Sequence, residues 1–119
     1  RSRREGRVRG GAGMVELPSV DGYPEKVEDR YSEASHFVYV LRLFDARWYV
    51  GETEAPKRRV ISHIRGDHTA PDFVKQYPPV AVESVLEFES RSRARDREEA
   101  TAEAFAHYYG ASRVRGGGL

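Results

Sequence analysis

Apolar side chains run together at Phe37-Val38-Tyr39-Val40-Leu41 and again at Trp48-Tyr49-Val50. Aromatic and β-branched residues at this density predict strands over 37–44 and 47–52. The small polar pair Asp45-Ala46 between them reads as a turn, so the two strands form a hairpin. The pattern then changes period. Thr53 can cap a helix, Pro56 is tolerated in a first helical turn, and Val60, Ile61 and Ile64 supply an apolar face. Gly66 is the stop signal. Residues 67–79 are broken by Pro71, Pro78 and Pro79 and form a connection, with one short helical turn around Phe73. Val80, Val82 and Val85, spaced by Ala81, Glu83 and Ser84, mark a third strand over 80–88. Residues 92–109 make a long helix that buries Ala94, Ala102, Phe105 and Tyr109 and stops at Gly110. Val114-Arg115-Gly116-Gly117-Gly118 is a closing loop. The element order is β-β-α-β-α, an α+β chain with no internal repeat.

Ahead of this core, residues 14–35 combine Pro18, Gly22 and Pro24 with many charges and read as an irregular extension with at most a short helix. Residues 1–13 carry five arginines and one glutamate and read as a flexible basic tail. Such a tail is either an incidental leader or an arm for a nucleic-acid backbone. The formal net charge of the whole chain is +1, so the folded part is mildly acidic. Binding to nucleic acid would therefore use a local patch. The chain lacks cysteine, which excludes disulfides and thiolate zinc sites. No apolar run approaches the roughly 20 residues of a membrane span, and no signal peptide is visible. The expected setting is intracellular: cytoplasm, nucleoid or a virus.

Candidate chemistry lies on the hairpin and the helix after it. Tyr39 and Tyr49 are ten positions apart, and Arg59 follows Tyr49 by ten more. A two-residue turn sends the two phenols to opposite faces of the sheet. A three-residue loop pairs Tyr39 with Gly51 and Tyr49 with Leu41, and both phenols then share one face. The sequence does not choose between the two loops. Arg59 and His63 are i and i+4, so they share one side of the helix. A guanidinium fits phosphate oxygens, and an imidazole can exchange a proton near neutral pH. Glu99 and Glu103 are i and i+4 on the long helix, and either carboxylate could hold a hard divalent ion. Taken singly, each of these features is also what an ordinary sheet or a solvated helix would show.

Together these residues resemble the GIY-YIG nuclease family, in which two strand motifs each bring a tyrosine. Here the motifs read Phe37-Val38-Tyr39 and Tyr49-Val50-Gly51. Arg59 has the family's spacing, with Arg58 one residue early, and His63 matches the histidine of many members. The resemblance spans about residues 36–118, including a closing Val-Arg-Gly-Gly run. It implies a small three-stranded antiparallel sheet flanked by helices. It also implies hydrolysis of DNA phosphodiesters with one Mg²⁺ or Mn²⁺ ion, and identifies Tyr39, Tyr49, Arg59 and His63 as catalytic. Glu103 is the implied metal ligand, with Glu99 as the alternative. Lys57, Arg58, Arg65, Arg113 and Arg115 are the implied DNA contacts. Targeting would come from a protein partner or a homodimer. A catalytically weak or inactive nucleic-acid-binding module of the same fold is the alternative reading. Phe37 stands where the family has glycine, and Glu52 where lysine is common. Arg113 falls near the position of the family's asparagine, a residue type this chain lacks.

Overall fold

The computed structural model of the chain describes residues 19–27 and 35–119. The basic tail and the remaining parts of the N-terminal extension lie outside the described residues. The elements are β1 (His36–Leu43), β2 (Arg47–Thr53), α1 (Pro56–Arg65), α2 (Asp72–Gln76), β3 (Pro79–Phe88), α3 (Arg91–Tyr109) and β4 (Val114–Gly116), the last preceded by a single 3₁₀ turn.

The hairpin takes the three-residue loop. Leu43 pairs with Arg47, Leu41 with Tyr49 and Tyr39 with Gly51. The loop Phe44-Asp45-Ala46 closes with two consecutive left-handed residues, Asp45 at φ 62° and Ala46 at φ 53°. Two arginines brace this strained turn. Arg47 donates to the Asp45 carbonyl and carboxylate, and Arg113 donates to the carbonyls of Asp45 and Ala46.

The sheet has four strands in the order β3-β1-β2-β4, and this corrects the expectation of three. β1 runs antiparallel to both β2 and β3, whereas β4 runs parallel to β2, so the sheet is mixed. β4 was read as a closing loop because three residues ending in glycine show no strand period. Its glycine is nonetheless required. Gly116 has φ 101°, and a Cβ there would strike the Val50 carbonyl.

Helices cover both faces. Val60 and Ile64 of α1 and Val74 of α2 pack with Leu41, Leu43, Val82 and Tyr39. On the other side, Ala94 and Ala102 of α3 pack with Val38, Val40, Trp48, Val50 and Val114. Each fully buried branched side chain contributes about 1.5–3 kcal/mol. Gly66 closes α1 in the left-handed region as expected, but Thr53 does not cap it: α1 starts after Ala55 without a side-chain cap, and Thr53 Oγ1 accepts from the Ala55 N–H instead. Gly110 ends α3 as expected, and the Ser90 hydroxyl caps its start at the Arg93 N–H. Tyr109, expected in the buried stripe of α3, is 40% exposed and stacks on Trp48 instead. Residues 19–27 form turns beside β3, where Val20 and Val27 enter the core and Asp21 bridges to Ala81. Among the described residues, no helix is long and apolar enough to cross a membrane.

Candidate active site

The hairpin register puts both phenols on the α1 side. Tyr39 lies across Gly51, and a Cβ at that glycine would collide with the Tyr39 hydroxyl and ring. From α1, His63 projects between the two tyrosines. Its ring centroid lies 5.5 Å from that of Tyr39 and 5.1 Å from that of Tyr49, and the two phenol rings are 6.3 Å apart. The Tyr39 Oη and His63 Nε2 are hydrogen-bonded at 2.7 Å. Both side chains are fully buried, at 1% exposure each, whereas Tyr49 is only half-buried.

Burial governs the protonation states. Removal from water, and then the Arg59 charge, push His63 down to about 3, so its imidazole is neutral. This corrects the expectation of a histidine that titrates near neutral pH. Among the described residues, its Nδ1 has no hydrogen-bond partner. Burial, and next the facing Tyr49, raise the Tyr39 phenol, while Arg59 opposes that rise as a charge and as a hydrogen-bond donor. Tyr49 is raised by burial and lowered by the same guanidinium. Among the described residues, Arg59 is thus the cation that acts on all three rings. Its neighbour Arg58 is exposed and lines an open cleft of about 610 Å³, shared with Thr53, Glu54, Ala55, Arg59, Asp67 and Thr69.

A carboxylate on α3 also acts on the phenols. The charge of Glu98 raises both of them. Its own carboxyl is raised by burial and then by the charge of Glu52, and it accepts a hydrogen bond from the Gly117 N–H. Glu52 in turn approaches His36, with Oε2 3.4 Å from Nδ1. Glu99 and Glu103, the expected metal ligands, are exposed on α3, away from the buried stripe. The helical period explains how they differ from Glu98. Glu98 lies four residues after buried Ala94 and four before buried Ala102, and therefore shares their face. Glu103 lies one residue past Ala102, about 100° further around the helix. That spacing was legible in the sequence.

The predicted DNA contacts divide. Lys57, Arg58 and Arg65 lie exposed on α1. Arg113 and Arg115 are engaged by the fold itself. Arg113 clasps the hairpin turn, and Arg115 donates to the Ala111 and Val114 carbonyls with its guanidinium 5.0 Å from the Phe73 ring. Backbone carbonyls at the chain's own turns compete for these guanidinium groups, and basic character alone does not reveal that.

Among the described residues, no group of three or more His, Asp or Glu side chains converges to hold a metal. A Mg²⁺ or Mn²⁺ ion that keeps its waters needs only one or two carboxylate oxygens. Glu98 fits that demand. It is a hard oxygen donor, half-buried, oriented by Gly117, and crowded by a second carboxylate whose repulsion a cation would relieve.

No protein-family profile matches the chain, and no solved structure does. A UPF0213 protein of Halobacterium salinarum is 35% identical over 63 residues, covering 53% of this chain and 79% of that protein. Shared sequence over most of that relative's length shows that the chain belongs to the UPF0213 family.

Proposed function

We propose that the chain is a divalent-metal-dependent endonuclease of the GIY-YIG type that hydrolyses DNA phosphodiesters. The observation that carries this reading is the packing of His63 between Tyr39 and Tyr49 beside the cleft that Arg59 lines, with the charges of Arg59 and Glu98 acting on both phenols. Each group has a role its surroundings permit. Arg59 and Arg58 face the cleft and bind phosphate oxygens, and Arg59 offsets the charge that develops on them. Tyr49, the more exposed phenol, orients the attacking water from the cleft side. Tyr39 and neutral His63 form a buried hydrogen-bonded pair behind it that fixes the phenol cluster. Glu98 would hold the Mg²⁺ or Mn²⁺ ion, which when bound would supply Lewis-acid polarisation of a phosphoryl oxygen.

The test is cleavage of plasmid and branched DNA with Mg²⁺. Arg59→Ala and Glu98→Gln should each lower the rate by a factor of 100 or more, on the order of what one transition-state contact supplies. Glu103→Gln should cut like the wild type. A wild type that cuts nothing, or variants that cut undiminished, would end the proposal. A second reading, a nucleic-acid-binding module of this fold without turnover, draws on Glu52, whose carboxylate adds negative charge beside Glu98. Salt-dependent DNA binding with no cleavage in any divalent metal would favour it.

A further inference from the structure

Arg59 does not reach the phenols unaided. It sits three residues before Ser62 on α1, so both side chains leave the helix on one side. Gly66 then turns the chain back, and the Asp67 N–H donates to the Ser62 carbonyl at 3.4 Å. Residues 67–69 therefore lie alongside both. Thr69 takes Nη1 of Arg59 with two acceptors, its carbonyl at 3.2 Å and its hydroxyl at 3.3 Å.

Thr69 is itself pinned. Oδ1 of Asp67 accepts from the Thr69 N–H at 2.9 Å, the Thr69 hydroxyl at 2.7 Å and the Ser62 hydroxyl at 2.8 Å. The two hydroxyl oxygens are 2.7 Å apart. Two hydroxyl protons serve these three short O···O contacts, so the network is tight and the carboxylate anchors it. The same hydrogen bonds, those of Thr69 first, hold the Asp67 carboxyl well below the usual carboxylate range, and it stays ionised. Ser62 is 8% exposed, so the anchor is shielded on its helix side.

We propose that Thr69, fixed by Asp67 and Ser62, is a positioning residue for Arg59. Of the guanidinium's five N–H donors, those on Nη1 are committed to Thr69. The remaining donors are left for the two phenols and for a phosphate oxygen in the cleft. Thr69 acts on the reaction through Arg59 and needs no contact with DNA. For its kinetic consequence this inference rests on the nuclease reading, but its structural part does not.

The experiment pairs side-chain NMR with kinetics on Thr69→Val, Thr69→Ser and Asp67→Asn. In the wild type, the ¹⁵N heteronuclear NOE of Arg59 Nε should be high, as for an ordered side chain. Thr69→Val should lower it, and Thr69→Ser should restore it. Asp67→Asn keeps the shape but weakens the anchor, and should give an intermediate value even if the valine variant folds poorly. With Mg²⁺ and DNA, Thr69→Val should lower kcat about tenfold, the worth of one hydrogen bond to a charged group, with KM within about twofold. Serine should again rescue. An unchanged Arg59 signal in Thr69→Val overturns the inference. So does a raised KM at constant kcat, which would make Thr69 a DNA contact. If the wild type proves not to cut, the nuclease reading falls, and the NMR comparison alone still decides the positioning.

Discussion

Strands β1 and β2 send Val38, Val40, Trp48 and Val50 towards α3, and Tyr39, Leu41 and Tyr49 towards α1. On the α3 side the packing is apolar, and small Ala94 and Ala102 let the helix approach the sheet. On the α1 side two phenols and an imidazole pack into the core, with the Arg59 guanidinium at its edge on the cleft. The same backbone thus carries a face optimised for packing and a face whose polar groups must satisfy one another. The Tyr39–His63 hydrogen bond and the Thr69 clamp on Arg59 meet that need, whereas His63 Nδ1 does not have it met. Site geometry on this face is set by core packing, so changes in packing should become changes in chemistry.

The sharpest way to break the contrast is a pair of neighbouring substitutions. Val50→Ala removes two methyls from the apolar face and should cost about 2 kcal/mol. Gly51→Ala adds a single methyl to the other face, yet should cost about 3 kcal/mol, because that methyl falls on the Tyr39 ring. Urea midpoints with unchanged m-values would measure both. A milder effect for Gly51→Ala would mean that the Tyr39 ring is not locked above that glycine.

Acid should separate the faces next. His63 titrates near 6.5 when unfolded and near 3 when folded, so between those values the unfolded chain binds more protons. Stability is therefore present above pH 6.5 and is lost as pH falls, with a slope of up to about 1.4 kcal/mol per pH unit. Glu98, raised in the fold, works in the opposite sense and blunts the loss at the acid end. Unfolding free energies from urea titrations at pH 7 and pH 5 should differ by about 2 kcal/mol in the wild type and much less in His63→Phe. An equal drop in the variant would place the acid sensitivity elsewhere.

What could be read in advance follows the same division. Period sufficed for β1, β2, α1 and β3, whose buried positions recur regularly, whereas α3 was legible from its length, its helix-forming composition and the Gly110 stop, since only Ala94 and Ala102 are buried on it. β4 escaped because its three residues have no period, and Gly116 and Gly117 serve close approach to Val50 and to α3. The spacing of Tyr39, Tyr49, Arg59 and His63 was legible, but whether the phenols meet depended on a hairpin loop closed by Asp45 and Ala46 in a conformation non-glycine residues seldom adopt. Glu98 was hidden in a run of alternating arginine and glutamate, where only its phase against Ala94 and Ala102 distinguishes it from Glu99 and Glu103. The Thr69 clamp lies in a connection without period, where a hydroxyl's partners depend on how the chain turns back after Gly66.

The smallest expected effect concerns the open end of the α3 face, where apolar packing gives way to Glu98. Its carboxylate is half-buried, raised by desolvation and by the charge of Glu52, and so is unfavourable to the fold when ionised. Glu98→Gln removes that charge and keeps the shape. The gain at pH 7 should be under about 1 kcal/mol, because water still screens a group this exposed. Glu103→Gln, on the solvent side of the same helix, should change stability by no more than about 0.5 kcal/mol. The gain should also shrink as pH falls, since a protonated Glu98 no longer carries the charge that glutamine removes. A gain that persists at low pH would point to packing, and no gain at all would put Glu98 out of reach of Glu52. A fold stabilised by losing Glu98, in a protein that then stops cutting DNA, would mean that this carboxylate is kept for chemistry against the interest of packing.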